Sequence, residues 1–96
     1  MVKKEGIKAR LLADSAPEVV FWVCNGAIIK NLKELAATVE NMDDGTFQYH
    51  VNKDRNDFAT WVQDIFQDKV LADRMRKAKK QKALADAVKK RLGEAA

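Results

Sequence analysis

Apolar residues in this chain recur in a few distinct patterns, and the strongest lies between positions 50 and 66. There HVNKDRNDFATWVQDIF passes from a polar run into Phe58, Trp61, Val62, Ile65 and Phe66, at i, i+3, i+4, i+7 and i+8. That spacing places all five on one stripe of an α-helix and predicts a buried central helix ending near Gln67. Asp57, or Asn56 if the boundary falls one residue earlier, offers a side-chain oxygen to the unpaired amides of the first turn.

A different pattern occupies the N-terminal third. Val19-Val20-Phe21-Trp22-Val23-Cys24 is rich in β-branched and aromatic residues, Asn25-Gly26 interrupts it, and Ala27-Ile28-Ile29-Lys30 follows. Asn-Gly between apolar runs is the signature of a two-residue type I′ turn, which needs positive φ at both positions, so a β-hairpin is expected; the alternative is a strand running directly into a loop. An isolated hairpin is marginal in water, so its apolar face must rest on the helices or on a strand of a second copy.

Helical periodicity dominates the remainder. Asn31 is a plausible N-cap with Glu34 three residues on, and Leu32, Leu35, Ala36, Val39 and Met42 line one face, predicting a helix over 31–42. Asp43-Asp44-Gly45 breaks it, Thr46 to Val51 reads as a short helical turn presenting Phe47, His50 and Val51 on one side, and the polar loop Asn52 to Asn56 follows. Asp68 can cap a further helix carrying Val70, Leu71, Met75 and Ala78. A second stripe of Leu84, Ala87, Val88 and Leu92 is offset from it across Lys79 to Lys82. The phase shift implies a bend, a rotation of the buried face, or two helices, and Gly93 is expected to end the pattern. The fold class expected is α+β, mostly α, with a short N-terminal β-hairpin packed on three or four helices.

Length and composition constrain this picture. The 96 residues, 47% hydrophobic and 33% charged, suit one globular domain. The first ten, MVKKEGIKAR, lack apolar periodicity, so a flexible basic N-terminus at 1–10 and a single domain at 11–96 are expected. No apolar run approaches the roughly 18 residues needed to cross a bilayer. The N-terminal lysines are not followed by the apolar segment and cleavage site of a secretory signal, and Cys24 has no partner in the chain, so a soluble cytoplasmic protein is expected. Cys24, closing an apolar run, reads as a small core residue, with an intermolecular disulfide requiring it to be exposed.

The ordered set Phe21, Asn25-Gly26, Leu32, Glu34 and Leu35, Phe47-x-x-His50, Asn56-Asp57-Phe58-x-x-Trp61-Val62 and Leu71-Ala72 resembles a family of small bacterial and archaeal domains of unknown function. The likeness covers roughly residues 18–76 and rests mainly on the histidine followed by Asn-Asp-Phe-x-x-Trp. It implies a domain that recurs alone or attached to other modules, and it supplies no catalytic assignment. The basic segment after Met75 lies outside it.

Few residues here suggest chemistry. A carboxylate can orient an imidazole for proton transfer, which makes His50 and Asp57 the candidate catalytic pair. The competing reading gives Asp57 to the helix cap and seats His50 in an aromatic patch with Phe47, Tyr49, Phe58 and Trp61, where it fastens the 52–56 loop. A nucleophile or oxyanion-stabilising group is also required and none is evident, so no enzyme is expected. One His and one Cys cannot supply a zinc site, and Asp43, Asp44 and Asp54 do not match a calcium loop, so no metal is expected. Gly6, Gly26, Gly45 and Gly93 are isolated, which argues against a phosphate-cradling loop and against nucleotide cofactors.

Charge is the better guide to partners. Residues 1–68 hold eight Lys and Arg against eleven Asp and Glu, a net −3, whereas residues 69–96 hold ten against three, a net +7. Arg74, Arg76, Lys77, Lys79, Lys80, Lys82, Lys89, Lys90 and Arg91 would give a helix a dense positive field for a polyanion such as nucleic acid. The plainer readings are a solvated face and complementation of the helix dipole. No zinc finger, RNA-binding sheet motif or helix-turn-helix accompanies the charge, so binding would be directed to the phosphate backbone. Large apolar residues are too few among the lysines for membrane insertion. An unidentified protein partner or self-association through Val19 to Val23 or Leu84 to Leu92 is a third alternative, against which the plainer reading is packing of both segments inside the monomer. The reading favoured by the sequence is a non-enzymatic interaction or accessory module, ahead of a nucleic-acid-associated protein and of a small enzyme.

Overall fold

The structure is a computed structural model describing residues 9–95. In it Phe21–Trp22 and Ile28–Ile29 pair as antiparallel strands β1 and β2, with Phe21 opposite Ile29 and Trp22 opposite Ile28. The strands are shorter than the apolar run suggests because Pro17–Val19 forms a single 3-10 turn that removes Val19 from the ladder. Between the strands, the Gly26 amide donates to the Val23 carbonyl at 2.9 Å and the Val23 amide to the Ala27 carbonyl at 2.8 Å. Gly26 has φ +96°, while Asn25 does not enter the positive region. The connection is therefore a three-residue loop ending in a left-handed glycine rather than the two-residue type I′ turn expected. Asn25 spends its carboxamide oxygen on the Ala27 amide at 2.9 Å. Cys24 rides on the exposed turn, not in the core, which corrects its assignment as a core residue.

Helix α1, Leu32–Asn41, begins where the sequence places it. Asn31 Oδ1 accepts the Glu34 amide at 2.7 Å, and the Glu34 carboxylate reaches back to accept the Lys30 amide at 3.1 Å. Two of the donors left unpaired at the start of the helix are thereby satisfied. Asp43 does more than break α1: its carboxylate accepts the Thr46 amide at 2.8 Å and starts α2, Asp44–His50, two residues before the expected turn. Phe47, His50 and Val51 do share one buried side.

The central helix α3, Asp57–Trp61, is capped by Asn56, whose Oδ1 accepts the Ala59 amide at 3.0 Å. It continues as a π-helical turn over Val62–Phe66 and stops at Gln67, a non-glycine residue in the left-handed region with φ +55°. Phe58, Ala59, Trp61, Val62 and Phe66 are buried, with Ile65 packed at the edge of the core. Two helices follow rather than one: α4, Lys69–Lys77, and α5, Gln81–Ala95. Val70 is exposed, unlike Leu71, Ala72 and Met75, and Gly93 lies inside α5 instead of ending it.

These elements enclose one core that draws on the hairpin and on every helix. Phe21 of β1 packs on the Phe58 ring at 4.8 Å and edge-on to Trp61 at 5.8 Å. The Trp61 indole N–H donates to the Val19 carbonyl at 2.8 Å, which joins the central helix to the 3-10 turn and satisfies the polar atom of the indole. Helix α5 runs back along α1. At its start Gln81 donates to the Val39 and Met42 carbonyls, each at 2.6 Å, closing the C-terminus of α1 with a side chain remote in sequence. The mostly helical class with an N-terminal hairpin is as the sequence implies. The expected flexible N-terminus falls mainly on residues 1–8, outside the described residues; residues 9–12 are helical and bury Leu11.

Trp61→Ala removes a buried ring and an indole hydrogen bond together. Chemical denaturation should report a loss of about 3 to 5 kcal/mol, and a loss below about 1 kcal/mol would contradict a central role for this residue.

Candidate functional site

His50 is buried with both ring nitrogens engaged. Nε2 lies 3.0 Å from the Cys24 amide, and Nδ1 lies 2.9 Å from Asp57 Oδ2. A backbone amide can only donate, so Nε2 accepts and the ring proton sits on Nδ1, facing the carboxylate. The imidazole is also packed by Phe21 at 5.1 Å, Tyr49 at 4.9 Å and Phe58 at 5.2 Å between ring centroids. It fastens the hairpin turn to α2 and α3 rather than the 52–56 loop. Asp57 is available for this because Asn56 takes the cap.

The loop itself is built from its own polar groups. Val51 and Asn56 form an isolated antiparallel bridge, and the Asn52 amide donates to the Arg55 carbonyl at 2.9 Å. Asn52 also accepts the Asp54 amide at 2.9 Å and donates to the Gln48 carbonyl at 3.0 Å. Arg55 Nε and Nη2 both reach the Tyr49 carbonyl, at 3.2 and 2.7 Å, and its guanidinium lies 4.8 Å over the Tyr49 ring. Asn56 Nδ2 donates to the Met75 carbonyl at 3.2 Å, tying this loop to the end of α4.

Between the loop and that helix end lies an open cleft of about 730 Å³, lined by residues 51–56, Thr60, Arg76 and Lys79. Lys53, Arg55, Arg76 and Lys79 bring positive charge to it, against the single carboxylate of Asp54. Asp57 stands 3.5 Å from Arg55 Nε and Asp73 stands 3.4 Å from Arg76 Nη1, whereas Lys53 and Lys79 pair with no carboxylate among the described residues. A second recess of about 440 Å³ on α1 and α5, lined in part by Ala36, Ala37 and Leu92, is more apolar and flanked by Lys33, Glu40 and Lys89.

The nine basic residues singled out in the sequence do not form one surface. Arg91 makes a two-point pair with buried Asp68, at 2.8 and 3.1 Å, so Asp68 serves as its partner and makes no side-chain cap for α4. Arg74 pairs with both oxygens of Glu94 at 2.8 and 3.0 Å, Lys82 lies 3.7 Å from Asp86, and Lys89 bonds Glu40. Lys77, Lys79, Lys80 and Lys90 are exposed and carry no ion pair among the described residues. Lys77 to Lys80 sit at the corner between α4 and α5, where Arg76 and Lys79 turn toward the 52–56 loop. Lys53 and Arg55 are the cations missed by reading charge as a C-terminal run. They lie on a stretch of net negative sequence, and only the Asn56–Met75 bond reveals that they face Arg76 and Lys79.

No family model, curated protein or solved structure matches this chain. Among the described residues no three His, Cys, Asp or Glu side chains gather to hold a metal ion, and no helix is long and apolar enough to cross a membrane. Trp22 and its cross-strand neighbour Ile28 are 66% and 48% exposed, the most conspicuous apolar pair on the surface.

Two outcomes follow from this polar framework. His50→Ala leaves the Cys24 amide without an acceptor and opens a void among Phe21, Tyr49 and Phe58. It should cost about 2 to 4 kcal/mol and speed hydrogen exchange at the Cys24 amide, and unchanged exchange there would refute the lock. Acid should weaken the fold by a separate route. Hydrogen bonds and charge from Lys89, Lys69 and Arg74 hold the carboxyls of Glu40, Asp73 and Glu94 below their ordinary values. Depressed carboxyls stabilise the folded chain above their unfolded pKa, near 4, and lose that contribution as pH falls through the folded value. Urea midpoints should hold from about pH 7 to pH 5 and drop below about pH 4, and an unchanged midpoint at about pH 3 would contradict these pairings.

Proposed function

We propose that this chain is a non-enzymatic accessory module, acting in the cytoplasm, whose working surface is the basic cleft and whose ligand is the phosphate backbone of a nucleic acid. The observation that carries this reading is the convergence of Lys53 and Arg55 with Arg76 and Lys79 around one recess from segments remote in sequence. Complementation of the α4 dipole accounts for cations on that helix, but it does not account for cations on a loop facing it. A solvated face accounts for scattered lysines and gives no reason for a concave arrangement. Lys77 and Lys80 extend the positive potential beyond the cleft and would steer an anionic ligand toward it.

His50 and Asp57 belong to the framework in this reading. Catalysis by His50 would require Nε2 to leave the Cys24 amide, and the hairpin turn would lose its anchor. The resemblance to the small bacterial and archaeal domains fits the same division of labour, since its His50, Phe58 and Trp61 are buried while the cations of the cleft lie outside its signature. The exposed Trp22–Ile28 face is where a protein partner or a second copy would join the module.

Fluorescence anisotropy with labelled mixed-sequence DNA and RNA tests the reading. Binding is expected at about 50 mM salt, falling steeply as salt rises. Lys53→Gln combined with Lys79→Gln should weaken it by about tenfold or more, whereas Lys82→Gln should leave it nearly unchanged. No binding to either polymer at about 50 mM salt overturns the proposal.

A further inference from the structure

The cleft is a recess, and its best-organised cation is planar. Arg55 directs Nε and Nη2 at one carbonyl, that of Tyr49, lays its guanidinium over the Tyr49 ring at 4.8 Å, and has Asp57 beside Nε at 3.5 Å. These contacts fix the plane before any ligand arrives. The side chain is nevertheless 47% exposed and lines the cleft, so the guanidinium is ordered by its Tyr49 contacts and still accessible to a ligand. A guanidinium held this way is a stacking shelf for an aromatic ring as well as a charge, and a shelf that is already ordered spends little conformational entropy on binding.

We infer that the cleft takes a single-stranded nucleic acid, with one unpaired base stacked on the free face of Arg55 and the flanking phosphates held by Lys53, Lys79 and Arg76. This rests on the nucleic-acid reading above and sharpens it. Proteins that read a duplex send a helix or ribbon outward into a groove, whereas here the cations face one another across a hollow bounded by a tight loop. At about 730 Å³ the hollow is the size of a small-molecule pocket, within the roughly 300 to 1,000 Å³ that such ligands occupy. A flexible strand can turn a base into it, and a stacked, paired base cannot enter. Stacking on an aromatic or guanidinium face combined with a basic groove is the general means of holding single strands without a sequence requirement. Thr60, exposed and also lining the cleft, adds a hydroxyl suited to a phosphate or sugar oxygen.

The test compares three labelled ligands and one competition against the intact chain by anisotropy at one low salt concentration: an oligothymidine of about twelve nucleotides, its duplex with oligoadenine, an abasic strand of equal length, and the oligothymidine again in the presence of polyglutamate. The thymidine strand should bind about tenfold more tightly than the duplex or the abasic strand. Its log affinity should fall with log salt at a slope of about −2 to −3, the value for three or four neutralised phosphates on a single strand. Arg55→Lys, which keeps the charge and discards the plane, should remove most of the single-strand advantage by lowering strand affinity far more than duplex affinity. Equal affinity for the thymidine and abasic strands, or for strand and duplex, overturns the stacking inference while the cleft stands as a phosphate-backbone site. The abasic comparison uses the unmutated chain, so it decides even if Arg55→Lys disturbs the loop. Displacement of the strand by polyglutamate at equal charge concentration assigns the cleft to acidic protein segments, and absence of binding to every strand removes both readings.

Discussion

A buried imidazole with two ring nitrogens requires two partners, and the way His50 finds them governs how the other elements meet. One partner is a backbone amide 26 residues earlier and the other a carboxylate seven residues later. Neither is a neighbour on its own helix, so satisfying the ring fixes the hairpin turn and the start of α3 around α2. Phe21 is then delivered onto Phe58 and Trp61, and Trp61 reaches the Val19 carbonyl. Apolar burial supplies most of the driving force in such a core, but it is non-directional. The hydrogen bonds of His50 and Trp61 select one arrangement from the many that would hide the same rings.

The second organising feature is the division of the positive charge. A tail carrying +7 over residues 69–96 would repel itself along a single long helix. The break at 78–80 turns α5 back against α1 and brings Arg91, Lys89 and Arg74 within reach of Asp68, Glu40 and Glu94. Arg91 and Asp68 form the consequential pair, because Asp68 is 4% exposed and a buried carboxylate without its partner would be costly. Glu40 and Glu94 are exposed and contribute modestly, in a salt-dependent way. Excess charge is left at the α4–α5 corner, where Lys77, Lys79 and Lys80 meet no carboxylate among the described residues.

What could be read from the sequence followed from local rules. The stripe of Phe58, Trp61, Val62 and Phe66, the Asn31–Glu34 cap, and the phase shift between the Leu71–Met75 and Leu84–Val88 stripes each reflect interactions within a few residues, and each is present. The errors came where a side chain had two eligible uses. Asn56 and Asp57 could both cap α3; the amide took the cap, where it also donates to Met75, and the carboxylate went to His50. Asp68 could cap α4 but meets Arg91 from a helix distant in sequence. Asn25-Gly26 announces a turn but not its length, because a left-handed Gly26 serves the three-residue loop as well as the two-residue one. The cleft was least legible, since Lys53 and Arg55 join it only where the Asn56–Met75 bond brings their loop beside Arg76 and Lys79.

One carboxylate links the framework to the cleft. Asp57 Oδ2 lies 2.9 Å from His50 Nδ1 and 3.5 Å from Arg55 Nε, so the atom that orients the buried imidazole also steadies the guanidinium that lines the cleft. Tyr49 repeats the connection, with its ring edge-on to His50 and the Arg55 guanidinium over its face. The Arg55 shelf is therefore anchored to the hairpin turn through Asp57, His50 and Cys24. Any ligand that held the Arg55 plane would favour the arrangement in which those bonds are made, and by linkage it would stabilise the chain. Loosening the hairpin turn should be felt at the cleft for the same reason, although no residue of the hairpin lines it. A domain of this size has few buried polar groups to spend, and placing the lock and the shelf on one carboxylate makes the order of the core a condition for the order of the surface it presents.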